Sequence, residues 1–174
     1  MKRKSRFFNE IIAAFLTYLV GCFFSYVLIG TSGNIDLLSN AALQNAIVGI
    51  VTTVVTLTLV FFRLWYKGEY DCNLVDFGHM KKNLGRGALI GLFSAIPKIL
   101  MLTAFLLAAK SYSLAVPLAV LFSPFIGWVG AVQVPAHYIY SVIILTYIGV
   151  CAAGYYCGFN GIAVTKNLFY KKEK

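Results

Sequence analysis

Lys98 is the residue whose chemistry most needs explaining, because the positions around it, LFSAIPKILMLTAF, are almost wholly apolar. An ammonium in such a setting needs water, a counter-charge or an escape route to the headgroups. Pro97 beside it clashes with the preceding turn, which leaves the carbonyl of Phe93 free to accept from the amine. The apolar runs contain no carboxylate. Three chemistries are therefore open to Lys98: a neutral amine, a cavity holding an anionic ligand, or a carboxylate on a partner protein. A lysine that snorkels to headgroups from a tilted helix is the purely structural alternative.

The other reactive residue types do not assemble a reaction. His79 and His137 are the two histidines. Asp71, Cys72, Asp76 and His79 fall in one short stretch, but their spacing matches no standard metal site. Asp71-x-Asn73 begins like a calcium loop, yet Val75 and Asp76 occupy positions that need a ligand and a glycine. Ser94, Ser113 and Ser123 lack a nucleophile-elbow context. No P-loop occurs. The four cysteines, Cys22, Cys72, Cys151 and Cys157, form no CxxC pair and are expected as free thiols. The expectation is a protein with no catalytic residue, no metal and no cofactor.

The elements that must position Lys98 follow from composition. The chain has 174 residues, room for one domain. Its charged share is 12% and its mean hydropathy +0.80, where soluble domains carry about 25% charged residues. Lipid must therefore be the solvent for most of the surface. The net charge of +9 comes from separate clusters beside apolar runs, a pattern of topology determinants rather than of nucleic-acid binding.

Four apolar runs read as membrane spans at about 11–30, 41–62, 87–109 and 138–160. The first follows Lys2, Arg3, Lys4 and Arg6 but is longer than the roughly 7–15 residues of a signal-peptide core. It is read as a retained helix. In the second, Ala42, Ala46, Gly49, Thr53 and Thr56 form a small-residue stripe suited to helix packing. Between the second and third spans lies the longest polar stretch, Arg63–Arg86, read as a cytoplasmic loop. Leu74, Phe77, Met80 or Lys81, and Leu84 within it suggest a short amphipathic helix capped by Asn73.

Of the 15 Lys and Arg residues, all but Lys98 and Lys110 lie in the N-tail, this loop or the C-tail. If all three are cytoplasmic, an even number of crossings must separate each pair. The run 111–136 then cannot cross. It contains Pro117, Pro124 and Pro135, which break a continuous helix. Two short pieces turning near Ser123-Pro124 would form a re-entrant or outer-surface hairpin. A kinked fifth span is the alternative.

The resulting architecture is an all-α transmembrane bundle of four spans plus a Pro-rich hairpin. Lys98 lies about 18 Å along its helix from Arg86, near the middle of a core roughly 30 Å thick. A cavity between the third span, the hairpin and the last span would hold Lys98 and Pro97, with Tyr112, Trp128 and Tyr138 near its outer rim. Gly87-x3-Gly91 and Gly154-x3-Gly158 would let the third and last spans touch backbone to backbone. The basic tails, beside Phe7, Phe8, Phe169 and Tyr170, suit anionic headgroups of the lipid bilayer as partner.

Residues 86–98, RGALIGLFSAIPK, and 154–172, GYYCGFNGIAVTKNLFYKK, resemble small uncharacterised polytopic bacterial membrane proteins. Their pattern is an Arg-Gly start with a mid-helix proline, and a Gly-Tyr-rich last span before a Lys-rich tail. The resemblance covers the C-terminal half and implies a bacterial inner membrane, without adding a site residue. The expected function is a non-enzymatic component of a transport or envelope complex. A structural or regulatory partner of another membrane protein is the alternative.

Overall fold

The computed structural model describes residues 2–32, 41–107, 112–131 and 135–162. The basic C-tail, the loop around Gly33-Asn34 and Lys110 lie outside them. Six α-helices follow in order: α1 (Lys2–Ser32), α2 (Ala41–Asp76), α3 (Arg86–Leu107), α4 (Tyr112–Leu121), α5 (Ile126–Ala131) and α6 (Ala136–Phe159). A 3-10 turn, Ser123–Phe125, joins α4 to α5. Among the described residues, four helices are long and apolar enough to cross a membrane, with apolar stretches at Phe7–Thr31, Leu43–Asp76, Arg86–Leu107 and His137–Phe159.

The bundle has an apolar core that also takes in polar side chains, and an outer surface rich in apolar ones. Ser25, Thr52, Thr56, Ser94, Lys98 and Ser123 are buried, while Phe23, Leu100, Val142 and Leu145 are exposed. That distribution suits lipid as solvent, which rewards covering polar groups and does not penalise exposed leucine.

Small residues set the helix spacing. A Cβ on Gly158 would overlap the carbonyl of Trp65, one on Gly154 would meet the carbonyl of Phe61, and one on Gly68 would overlap that of Tyr155. α2 and α6 therefore touch at backbone distance. Gly87 and Gly91 of α3 face Tyr155, Cys151 and Ile148 of α6. The two GxxxG pairs are thus divided between seams. α3 does rest its glycines on α6, but the α6 glycines face α2, because α6 lies between two neighbours and turns its small side to the longer one.

The polar stretch after the second span is not a separate loop with its own surface helix. α2 continues through it to Asp76, reaching 36 residues, about 54 Å. Gly68 does not break it, because the missing side chain is where α6 approaches. Termination comes at Gly78, whose φ of +72° is left-handed. His79 N–H donates to Leu74 and Gly78 N–H to Val75, the two bonds that close a helix on a glycine. Gly161, at φ +65°, ends α6 in the same way.

The proline-bearing run turns where the sequence suggests. α3 starts and α6 ends beside Asp71, so the segment joining them begins and finishes at the opposite end of the bundle. α4 has 10 residues, about 15 Å, half a bilayer core. At its tip, the carbonyl of Leu121 accepts from the Tyr18 hydroxyl (2.8 Å) and the Cys22 thiol (3.3 Å). The carbonyl of Pro124 accepts from Thr52 (2.7 Å) and Thr53 (3.1 Å), and Ser123 donates to the carbonyl of Cys22. These partners lie mid-span on α1 and α2, so the segment is re-entrant rather than resting on the surface. Irregular backbone at that depth is stable only when its polar groups are covered and paired in this way.

Candidate functional site

Tyr18, Lys98 and Tyr147 lie near the middles of their spans on α1, α3 and α6. Lys98 is fully enclosed, at 0% exposure. Its Nζ stands 3.5 Å from the centroid of the Tyr18 ring and 3.0 Å from that of Tyr147. The two rings meet edge to face, 5.2 Å apart. No hydrogen-bond acceptor reaches the amine among the described residues. Snorkelling is therefore excluded, and the Phe93 carbonyl does not serve as the partner expected for it. Pro97 faces outward, and α3 runs through it without a break.

The energetics make this arrangement tenable. A lysine at mid-bilayer costs about 3 kcal/mol on insertion scales. A desolvated cation over an aromatic face recovers about 2 kcal/mol, and here two faces converge. The rings are themselves held: Tyr147 shares a 2.9 Å hydrogen bond with Ser94, while Tyr18 donates to the re-entrant tip. One side chain, Tyr18, thus contacts both the buried amine and the broken backbone of the hairpin.

The expected cavity rim does not assemble around Lys98. Trp128 donates from Nε1 to Thr53 at 3.0 Å and so belongs to the seam between α5 and α2. Tyr138 is exposed on α6. Tyr112 begins α4, and its side chain lies outside the described residues. The rings that do surround Lys98, Tyr18 and Tyr147, carry no signal in sequence beyond their position at matching depth in adjacent spans.

A second polar cluster occupies the basic end of the bundle, where α1 begins and α2 ends. Asp71 is buried and pairs with Lys67 (3.1 Å) and Arg86 (3.0 Å), and accepts from the Tyr155 hydroxyl (3.0 Å). Lys67 also meets Glu10 (3.1 Å), which pairs in turn with Arg63 (3.3 Å). All four spans contribute. Sequence reasoning that placed these charges in a loop missed the cluster, although Lys67 and Asp71 stand four apart, as helical ion pairs do. Asp71 is thereby committed to cations. Among the described residues no group of three His, Cys, Asp or Glu side chains could hold a metal, and the four cysteines are free thiols.

No family model matches the sequence, no curated protein matches it, and no solved structure matches the chain. The class rests on the molecule itself. Four of the described helices are long and apolar enough to cross a membrane, which makes this a multi-pass α-helical membrane protein, with a broken helical segment packed against mid-helix positions and a buried amine at the centre.

Proposed function

We propose that the protein is a component of a membrane transport or envelope complex with no enzymatic chemistry of its own. It sits in a bacterial inner membrane with both chain ends in the cytoplasm. The observation that carries this reading is the junction of Lys98 with the re-entrant tip through Tyr18. Ionisable groups at mid-membrane mark pathways and coupling sites, and transporters build such sites beside interrupted helices. Lys98 would supply a fixed positive charge, or a proton, at the point where the backbone is broken.

A second reading is favoured by the closed packing around the amine. With both flanks of Nζ covered by rings, Lys98 could hold α1, α3 and α6 together, and the outer surface would dock another membrane protein.

Lys98→Met separates them. Under the transport-complex reading, exchanging a buried charge for an apolar chain of similar length leaves the melting temperature in detergent unchanged or raised, whereas under the packing reading it falls. Under the transport-complex reading, the variant still folds but fails to restore the phenotype of a deletion strain. Proteins that co-purify with a C-terminally tagged wild type are retained, since docking does not use Lys98. Full complementation by both Lys98→Met and Lys98→Leu would overturn the role given to the amine.

A further inference from the structure

A pocket of about 700 Å³ opens at the basic end, beside the charge cluster and remote from Lys98. Its polar wall is Lys81, Lys82, Arg86 and His79, from the turn between α2 and α3 and from the first residue of α3. Its apolar wall is Phe7 of α1 with Leu74 and Leu89. The size is that of a site for a small molecule or a headgroup.

The charge in this pocket is unbalanced. One carboxylate, Asp71, lines it, and that group already serves Lys67 and Arg86. Lys81 and Lys82 are exposed and form no ion pair among the described residues. Arg86 meets both Asp71 and Met80 through the same terminal nitrogen, and the rest of its fork has no hydrogen-bond or ionic partner among the described residues. α3 carries no acidic residue of its own in its first turn, so the positive end of its dipole lies at the same place as these cations. Three cations and a helix start therefore converge on one opening.

Its position says what anion fits. The pocket lies where the apolar stretch of α1 begins, at Phe7, and where that of α3 begins, at Arg86. Phe7 stacks edge-on against Phe93 and under the Arg86 guanidinium, so the apolar wall continues down the bundle toward the lipid. A soluble anion has no use for such a wall, whereas an amphiphile does.

We propose that this pocket binds one anionic phospholipid. Its headgroup phosphate is held by Lys81, Lys82 and the free side of Arg86, and its chains descend past Phe7 and Leu89. This differs from the diffuse attraction of the basic tails, which needs no shaped site. It rests on residues other than those of the proposed function and can fail or succeed without it.

The test is native mass spectrometry of the full chain in detergent, titrated with phosphatidylglycerol, phosphatidylcholine or inorganic phosphate. Phosphatidylglycerol should bind one per chain in preference to phosphatidylcholine. Lys81→Gln with Lys82→Gln should weaken it roughly 30-fold, taking each surface cation at its usual contribution. Lys81→Arg with Lys82→Arg should retain it, and Lys171→Gln with Lys172→Gln should cost clearly less than the loss of the pocket pair. Both pocket lysines are exposed, so an unchanged melting temperature is expected throughout. Equal retention of the two lipids, an equal loss from the tail pair, or loss in the Arg pair would each overturn the site. Displacement of the lipid by inorganic phosphate at similar concentration would show a soluble-anion site instead and overturn the lipid assignment.

Discussion

At the scale of single residues, two buried charges behave in opposite ways. Lys98 has no ionic partner among the described residues and is held by ring faces, whereas Asp71 is surrounded by cations from two helices and a tyrosine hydroxyl from a third. Removing a charge has opposite consequences at the two sites. At Lys98 an unpaired charge is relieved; at Asp71 one is created. Asp71→Asn keeps an acceptor for Tyr155 but leaves Arg86 without its counter-charge inside the bundle. The expected loss is about 3 kcal/mol, seen as a clear drop in the melting temperature in detergent. Asp76→Asn, five residues on and exposed, should leave the melting curve in place.

At the scale of elements, the seams are set by glycine and by hydroxyl groups. The α2 stripe predicted from small residues does face other elements. Gly49 rests on Gly127, Thr53 holds the re-entrant tip together with Thr52, a residue outside the stripe, and Thr56 fills the space left by Gly21. The glycines of α6 carry the contact with α2, and they give a clean comparison. Gly158→Leu forces a side chain into the Trp65 carbonyl and should abolish a monodisperse peak in size-exclusion chromatography. Gly149→Leu, on the same helix with nothing within 4 Å, should run and melt like the wild type. Equal behaviour of the two variants would mean that α2 and α6 do not meet at backbone distance.

At the scale of the whole molecule, the question is sidedness. α1 begins, α2 ends, α3 begins and α6 ends at one pole, and the re-entrant segment enters and leaves at the other. This arrangement is what an even number of crossings between the three basic clusters requires. A single cysteine at position 172, in a variant lacking the four native thiols, should react with a membrane-impermeant maleimide only after the cells are opened. A cysteine at position 34 should react in intact cells. Labelling at 172 from outside would invert or break the scheme.

How much of this was legible beforehand divides along physical lines. Hydropathy and the positions of Lys, Arg and Pro determined four spans and a non-crossing segment, because insertion into lipid is decided locally by apolar length and flanking charge. Lys98 was identifiable as the unusual residue for the same reason, since an isolated cation in an apolar run is visible without a fold. Its partners were not, because Tyr18 and Tyr147 become its neighbours only when α1 and α6 close on α3. The end of α2 was misplaced for a related cause. Polar residues read as loop as long as their charges lack partners, and those partners, Glu10, Arg86 and Tyr155, come from three other helices. Tertiary structure alone decided which face each glycine pair meets and how deep the broken segment reaches. Both depend on which neighbour lies alongside, and no stretch of chain carries that information by itself.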